Sequence, residues 1–555
     1  MCGIFGGIGA HFDEQALARL RHRGPDQASL VRENLPGGAV LTLGQTRLNV
    51  VVREDIELPV RIGQAAILHN GEIYNHLELR AELEGLGWSF RTKTDTEVAL
   101  AAYLQWGTES LERLNGMFAL AIWDGEKLVL ARDRMGEKPL FYRSLPGRFE
   151  LASEIKALGE LEFVSQDVFD LFEFCFDQYT LYRDVLSLPP GHYLVYDPGR
   201  GTCDVRSYWD IEHRVEGKIA DERQAVERFI ELLEDSVRLR MRADVPISMF
   251  LSGGIDSALV ARLSGVREAF TCQFEELRDS IDEQSYAADL AARLGIELHV
   301  VTPTRDEFLE RLPQLGYHLE MPTGSFSVFP LFCLAERARG HGYKVVLSGE
   351  GSDELFAGYA RSEFLLGEEL DVSSPKRRPY AAMLRRYHGD GLDRFCRMAS
   401  RSGLGGAALM KMFLGRSWSP RKSLLDNVCY VESRLFLQPL LQMGDRMAMA
   451  HGVENRCPFL DHRLVELAFS LADSLRLRDG VGKWIVHEAA RRLLPAGARV
   501  LSRPVKHGLA TPVNLWLTGR HGFDRKYWNA VLTAECMRSL LGPQALQASA
   551  RGGGG

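Results

Sequence analysis

The sequence predicts an α/β protein of at least two domains, and three observations predict it. Its 555 residues exceed what one hydrophobic core organises. Val245–Leu251 is an apolar run of strand length that passes through Ser252-Gly253-Gly254-Ile255-Asp256-Ser257 into the helix-spaced segment Ser257–Leu263. Lys344–Leu347, again short and apolar, leaves in the same way into Ser348-Gly349-Glu350-Gly351-Ser352-Asp353-Glu354. Between these turns strands at Ala269–Phe274 and Glu297–Thr302 alternate with helices at Asp282–Leu294, Arg305–Leu312 and Leu331–Arg339, the pattern of a parallel sheet wrapped by helices. After Tyr359 the strand pattern stops, and residues 360–520 read as helices.

Composition narrows the function classes. Apolar residues make up 45% and charged residues 25%, the balance of an ordinary globular protein. A net charge of −7, with 67 basic against 74 acidic side chains and no basic block, argues against nucleic acid as a partner. No apolar run reaches about 18 residues and the amino terminus lacks a signal-peptide pattern, so no membrane partner is expected and the location expected is cytoplasmic. Nine cysteines without C-x-x-C pairs encode neither a disulfide framework nor a zinc site. Cys175, Cys203, Cys272, Cys333, Cys396, Cys429, Cys457 and Cys536 read as reduced core residues, and Cys2 stands apart.

The two glycine-rich turns carry the first chemical signal. Adjacent glycines let backbone N–H groups approach an anion, the following helix adds its positive end, and Ser252 and Ser257 offer hydroxyl donors. Asp256 would repel phosphate unless a cation stood between them, which points to Mg²⁺. The alternative is a tight strand-to-helix turn capped by Ser and Asp. In an open parallel sheet two such turns can converge on one ligand beyond the carboxyl ends of the strands.

The second signal is Cys2. Loss of Met1 would put a thiol nucleophile and an amine base on one residue, although a buried structural cysteine is the plainer reading of Met1-Cys2 alone. Its company is Met1–Gly7, a strand packed closely by glycines, then Arg21-His22-Arg23-Gly24-Pro25-Asp26 at the end of a helix-like segment. Arg47-Leu48 lies in a strand-like run. His69-Asn70-Gly71-Glu72-Ile73-Tyr74-Asn75 reads as a turn after the strand Ala65–Leu68, and Thr94-Asp95-Thr96-Glu97 opens a helix.

From Cys2 to Lys156 these clusters, with Arg132-Asp133, Gly136, Lys138-Pro139-Leu140 and Ala152-Ser153-Glu154, resemble the class II glutamine amidotransferase domain. That resemblance implies an Ntn-type α/β/β/α sandwich in which Cys2 attacks the glutamine amide. It further implies that Arg47 takes the α-carboxylate, that Asp95 and Glu72 take the α-ammonium, and that Asn70 and Gly71 hold the oxyanion. Arg47 and Asp95 could instead make surface ion pairs, and Asn-Gly is also a hairpin turn. After Arg47-Leu48 the chain departs from the family pattern, with Asn49–Asp55 and Leu58-Pro59-Val60 where relatives differ.

The later pair of turns resembles the loops of ATP pyrophosphatases. The resemblance implies that Phe250, Leu251, Ser252, Gly253, Gly254, Asp256, Ser257, Cys272, Ser348 and Gly349 bind ATP, and that Asp256 and Asp353 hold Mg²⁺. Asp445–Ala450, Glu454-Asn455-Arg456 and Pro458-Phe459-Leu460-Asp461 then extend the likeness over nearly the whole chain, to the glutamine-hydrolysing asparagine synthetases. That family's catalytic lysine falls on Lys483 and its carboxylate near the acyl group on Glu350, though a lone Lys or Glu is by default a solvated charge. Arg503–Leu509 resembles another family segment but carries one extra residue, which leaves Lys506 without a clear counterpart.

The domain boundary is placed near residue 212, after a polar stretch and before the amphipathic helix Asp221–Arg240. This gives a glutaminase domain over 2–211, an ATP-dependent synthetase domain of parallel α/β ATP-pyrophosphatase type with a helical extension over 212–540, and a glycine-ended tail over 541–555. His318–Phe326 is expected to border the acceptor. The implied activity is glutamine-dependent conversion of aspartate to asparagine through an acyl-adenylate, with ATP and Mg²⁺. A uronic-acid sugar or natural-product acid is the alternative acceptor. The expected partners are these small molecules, and a homodimer is left open.

Overall fold

The computed structural model describes residues 2–164 except 11, 178–359 except 216 and 279–282, 418–541 except 420–421, 504–510 and 520–524, and residues 362, 396, 411 and 414. The amino-terminal strands are β1 (Cys2–Ile8), β2 (Gln27–Asn34), β3 (Val40–Arg47), β4 (Val60–Ile62), β5 (Ala65–Ile73), β6 (Gly116–Trp123), β7 (Leu128–Arg132), β8 (Phe141–Leu145), β9 (Arg148–Ala152), β10 (Leu186–Ser187), β11 (His192–Asp197) and β12 (Thr202–Ser207). They sort into two six-stranded sheets, ordered β10-β8-β9-β1-β3-β2 and β12-β11-β7-β6-β5-β4.

The period-2 alternation of β1 explains the layers. Cys2, Ile4 and Ile8 point between the sheets, where they meet Ala66, Leu68, Ala119 and Leu128 of the second sheet. Phe5 points outward onto Ala16 and Leu20 of the helix Glu14–Leu20. On the far side Ile67, Phe118 and Leu120 pack against Leu79 and Leu83 of the helix His76–Gly85 and Val98 of the helix Asp95–Trp106. The result is the α/β/β/α sandwich of an Ntn-type fold. A Cβ on Gly3 would lie 2.7 Å from Thr46 Oγ1, so the helix and β3 close on β1 only because that position is glycine.

The carboxyl-terminal half holds a five-stranded sheet in the order β15-β14-β13-β16-β17, from β13 (Ile247–Phe250), β14 (Glu268–Cys272), β15 (Glu297–Val301), β16 (Val345–Leu347) and β17 (Glu454–Arg456). Every pairing in it is parallel. The helix Glu222–Arg240 leads in, its first turn capped by Asp221 and its last turn basic, in agreement with the helix dipole. Helices at Ile255–Ser264, Glu283–Leu294, Arg305–Leu319 and Val328–Gly340 follow the strands, and Leu437–Met449, His462–Ser470 and Trp484–Leu493 form a helical addition. Residue 212 lies in a short turn, Ile211–His213, between the two halves.

Three local expectations are corrected. His69-Asn70-Gly71 is no turn: β5 runs on through Ile73, with Asn70 opposite Ala119 and Gly71 opposite Phe118 on β6. The helix from Arg305 passes straight through Pro313 to Leu319. Strands do not end at Tyr359, because Glu454–Arg456 adds β17 beside β16, and Leu477–Arg478 pairs with Val481–Gly482. Lys506 and nearly all of the tail lie outside the described residues. No helix among the described residues is long and apolar enough to cross a membrane.

A buried ionic network joins the halves. Glu154 Oε1 receives Arg23 at 2.7 Å and Arg446 at 2.9 Å, with Lys156 and His22 against its other oxygen. Arg23 also reaches Asp445 at 2.8 Å, and Arg446 reaches Glu320 at 2.6 Å. These cations hold the Glu154 carboxyl well below its usual range despite burial that pushes the other way. Glu320 sits in the His318–Phe326 segment and also accepts the Ile155 and Lys156 backbone N–H groups, so this part of the segment serves the domain contact.

Candidate active sites

Cys2 begins β1 directly opposite Arg47 of β3 and is buried. Its carbonyl accepts from Arg23 Nε at 3.1 Å and its nitrogen donates to Asn70 Oδ1 at 3.2 Å, which pins the first residue of the strand. Asn70 Nδ2 in turn faces Ser153 Oγ at 3.4 Å. Gly71 has φ +141, and a Cβ there would meet the Met117 carbonyl at 2.0 Å, so β6 lies against it only because it is glycine. A cavity of about 20 Å³ is lined by Cys2, Arg47, Gly71, Glu72 and Asp95, bringing these expected residues together.

The charged members are buried rather than paired on a surface. Asp95 opens its helix behind the Thr94 cap and accepts the Ile73 N–H at 2.9 Å. Burial pushes the Glu72 carboxyl well up, and the neighbouring Glu454 and Asp95 carboxyls add to the shift. The Arg47 guanidinium is turned to the loop that departs from the family pattern: Nη1 donates to Glu54 O at 2.9 Å, and Nη2 to Val51 O at 3.1 Å and Val52 O at 2.7 Å. Gln45, His69 and Thr96 also line the cavity; Thr96 stands in the Thr94–Glu97 cluster, and Gln45 carries no local signal. His69 lies inside a noted cluster; burial holds its ring below the usual imidazole range, and Nδ1 is 3.0 Å from Thr96 Oγ1.

A second cavity, about 250 Å³, lies at the carboxyl ends of β13 and β16. Because those strands are parallel neighbours, their turns emerge side by side. Phe250, Leu251, Ser252, Asp256, Ser257, Cys272, Ser348, Gly349, Glu350 and Asp353 all line it. Gly253 and Gly254 do not: the Gly253 N–H donates to Glu283 Oε2 at 2.9 Å, and the Gly254 N–H to Ser252 Oγ at 3.2 Å. Glu283 is held by Arg503, a contact no local pattern announces. A Cβ on Gly349 would stand 2.7 Å from Ser257 N, so glycine is what lets the turns touch.

Lys483 is buried and bridges the two turns: Nζ lies 2.7 Å from Asp256 Oδ2 and 2.8 Å from Asp353 Oδ1. It is therefore no solvated helix charge. Ser352 Oγ donates to Asp256 Oδ1 at 2.7 Å. The chain's own ammonium thus lies against Asp256. The donor set also fits Mg²⁺, since Asp256 and Asp353 offer hard carboxylate oxygens to one cavity. Glu350 accepts from Asn455 Nδ2 at 3.2 Å, and burial raises its carboxyl above the usual range.

Strand β17 carries side chains that act on residues of both cavities. Glu454 acts electrostatically on Glu72 of the first, Asn455 bonds Glu350 of the second, and Arg456 Nε returns to Glu454 at 2.6 Å. Successive side chains of one strand thus serve opposite sites.

An Ntn-type sandwich opening on a buried cysteine, joined to a parallel α/β domain with paired glycine-acid turns, defines a glutamine-dependent, ATP-using amidotransferase. The asparagine synthase family model matches residues 228–548 and the glutamine amidotransferase domain model matches residues 1–209. The chain belongs to the asparagine synthase family. It is 30% identical to asparagine synthetase (glutamine-hydrolyzing) 1 of Bacillus subtilis, covering 93% of this chain and 89% of that protein. A putative asparagine synthetase (glutamine-hydrolyzing) of Mycobacterium bovis is 31% identical, with 90% and 85% covered. The amidase chyE of Penicillium rubens is 29% identical, with 84% and 79% covered.

Proposed function

We propose that the protein is a glutamine-dependent asparagine synthetase. The observation that supports this reading is the presence in one chain of a buried Cys2 sharing a cavity with Arg47, Glu72 and Asp95 and of a second cavity where Lys483 bridges Asp256 and Asp353. Cys2 sulfur attacks the glutamine amide, Asn70 and Gly71 stabilise the oxyanion, and Arg47, Asp95 and Glu72 read the α-substituents. Ammonia leaves, and water releases glutamate from the thioester.

In the second cavity the Phe250–Ser257 turn and the Ser348–Gly349 turn bind ATP, and the aspartate side-chain carboxylate attacks its α-phosphorus to expel pyrophosphate. Mg²⁺ held by Asp256 and Asp353 would neutralise phosphate charge when bound. Lys483 supplies fixed positive charge at the same place. Ammonia then attacks the acyl carbon, AMP leaves, and the buried Glu350 carboxylate takes the proton that nitrogen sheds.

A second reading keeps the chemistry and changes the acid. It is supported by the amidase among the relatives and by Leu331, Leu334, Leu437, Leu440 and Met443 in the cavity wall, apolar surface that suits a larger acceptor.

The test is pyrophosphate release with ATP, glutamine and a panel of carboxylic acids. Release with aspartate supports the first reading; none with aspartate but release with a sugar acid or natural-product acid overturns it in favour of the second. Cys2→Ala should abolish glutamine-dependent amide formation while ammonium salts still support it, and loss of both would refute separable sites.

A further inference from the structure

At the opposite end of β14 from the acidic cavity, two imidazoles and a carboxylate converge. Glu268 is the first residue of β14, whereas Cys272 at its other end lines the cavity. His299 lies on the neighbouring strand β15, opposite Phe270 in register. His341 follows directly on the helix Val328–Gly340. His299 Nε2 is 2.9 Å and His341 Nδ1 3.5 Å from the same oxygen of Glu268, and all three donor atoms lie within 4.8 Å of one another. We infer that Glu268, His299 and His341 form a binding site for a divalent transition metal of the zinc class.

The donor spacing is what such an ion requires. Zinc takes imidazole nitrogen and carboxylate oxygen at about 2.0–2.2 Å, so a tetrahedral centre separates its donors by about 3.4 Å. The two measured separations from Glu268 bracket that edge. Two nitrogens and one oxygen select zinc, or a neighbouring transition ion, over Mg²⁺ or Ca²⁺, which prefer oxygen alone. Three protein ligands leave a fourth position for water.

The surroundings fix the ligands. Phe270 stacks on the His299 ring at 5.0 Å and meets the His341 ring edge-on at 5.3 Å. The Tyr343 ring meets Phe270 edge-on at 6.0 Å, closing the same aromatic wall. The His341 N–H donates to the Arg337 and Ala338 carbonyls and the Tyr343 N–H to Ala338 O, so the loop bearing His341 is tied to its helix. An ion here would clamp β14, β15 and that helix together. Its three ligands come from three separate elements and include no cysteine, so the cysteine spacing that argued against a zinc site does not register it.

The test uses the full chain, stripped with a chelator and titrated with Zn²⁺ by calorimetry and with Co²⁺ by visible absorption. One ion per chain is expected, bound at least about 50-fold more weakly by His299→Ala, with a zinc-dependent rise in thermal midpoint that the variant lacks. Because His299→Ala also removes packing against Phe270, His341→Ala at an exposed position is the second variant and should weaken binding likewise, with pyrophosphate release unchanged. No stoichiometric uptake, uptake unaltered in His341→Ala, or a thiolate charge-transfer band with Co²⁺ would each overturn the assignment.

Discussion

Val52 donates its backbone N–H to Asp244 Oδ2 at 2.9 Å, a bond from the loop beneath Arg47 to the segment entering β13. Val52 has φ 62, a left-handed conformation that a β-branched side chain resists. Asp244 also takes Arg53 Nε on its carbonyl at 2.6 Å and donates its own N–H to Val50 O at 2.9 Å. The strained loop is therefore held from the other domain, and its carbonyls hold Arg47.

Asp244→Ala should let the loop relax and leave Arg47 less well aimed. Loss of one such hydrogen bond, roughly 1 kcal/mol, corresponds to about a fivefold rise in the glutamine KM. Ammonium-supported synthesis should be untouched. Steady-state kinetics with both nitrogen donors checks this, and equal loss with both donors would mean that Asp244 serves the fold alone.

Lys483→Met should abolish adenylation. It removes the ammonium from between Asp256 and Asp353, leaving one buried and one partly buried carboxylate to repel each other and the phosphates. Pyrophosphate release should fall by about 100-fold or more, while glutamate production from glutamine continues. Release within about threefold of the parent would exclude Lys483 from the chemistry.

What could be read in advance and what could not divides along physical lines. Cys2, the glycine-rich turns and the Thr94 cap are local patterns, set by φ demands and hydrogen bonds among near neighbours, and a sequence window contains them. β17 is Glu454-Asn455-Arg456, with no apolar alternation to announce a strand; it is buried because Glu454 and Arg456 satisfy each other and β16 supplies the ladder. Asn70-Gly71 has the chemistry of a turn but is extended, since β6 pairs with it on one side. The bridge from Lys483 to both turns joins positions more than a hundred residues apart. Such contacts are decided by packing, which no local window holds.

Stability should fall as pH rises through the range set by Glu354. Burial, with the nearby Asp353 carboxylate, pushes its pKa up to about 7 from an ordinary 4.5. Below pH 4.5 both the folded and unfolded chains hold this proton, and its contribution is fully present. Between pH 4.5 and 7 only the folded chain keeps it, so stability is lost with rising pH, on the order of 3 kcal/mol in all. Glu354→Gln should flatten that part of the stability profile relative to the parent. Parallel profiles in denaturant titrations from pH 4.5 to 8 would refute the assignment.

Glu154→Gln should loosen the two halves from each other. The carboxylate is surrounded by the buried Arg23, Arg446 and Lys156 and the partly buried His22, and neutralising it leaves Asp445 and Glu320 to balance the remaining cations. Removing one partner from a buried ion cluster typically costs about 3–5 kcal/mol, which should lower the thermal midpoint by several degrees. Because Arg23 also donates to the Cys2 carbonyl, glutamine-supported synthesis should drop further than ammonium-supported synthesis. The comparison separates two roles for the cluster: an equal fall with both donors would mark it as purely structural, and an unchanged midpoint would mean that the charges are satisfied without Glu154.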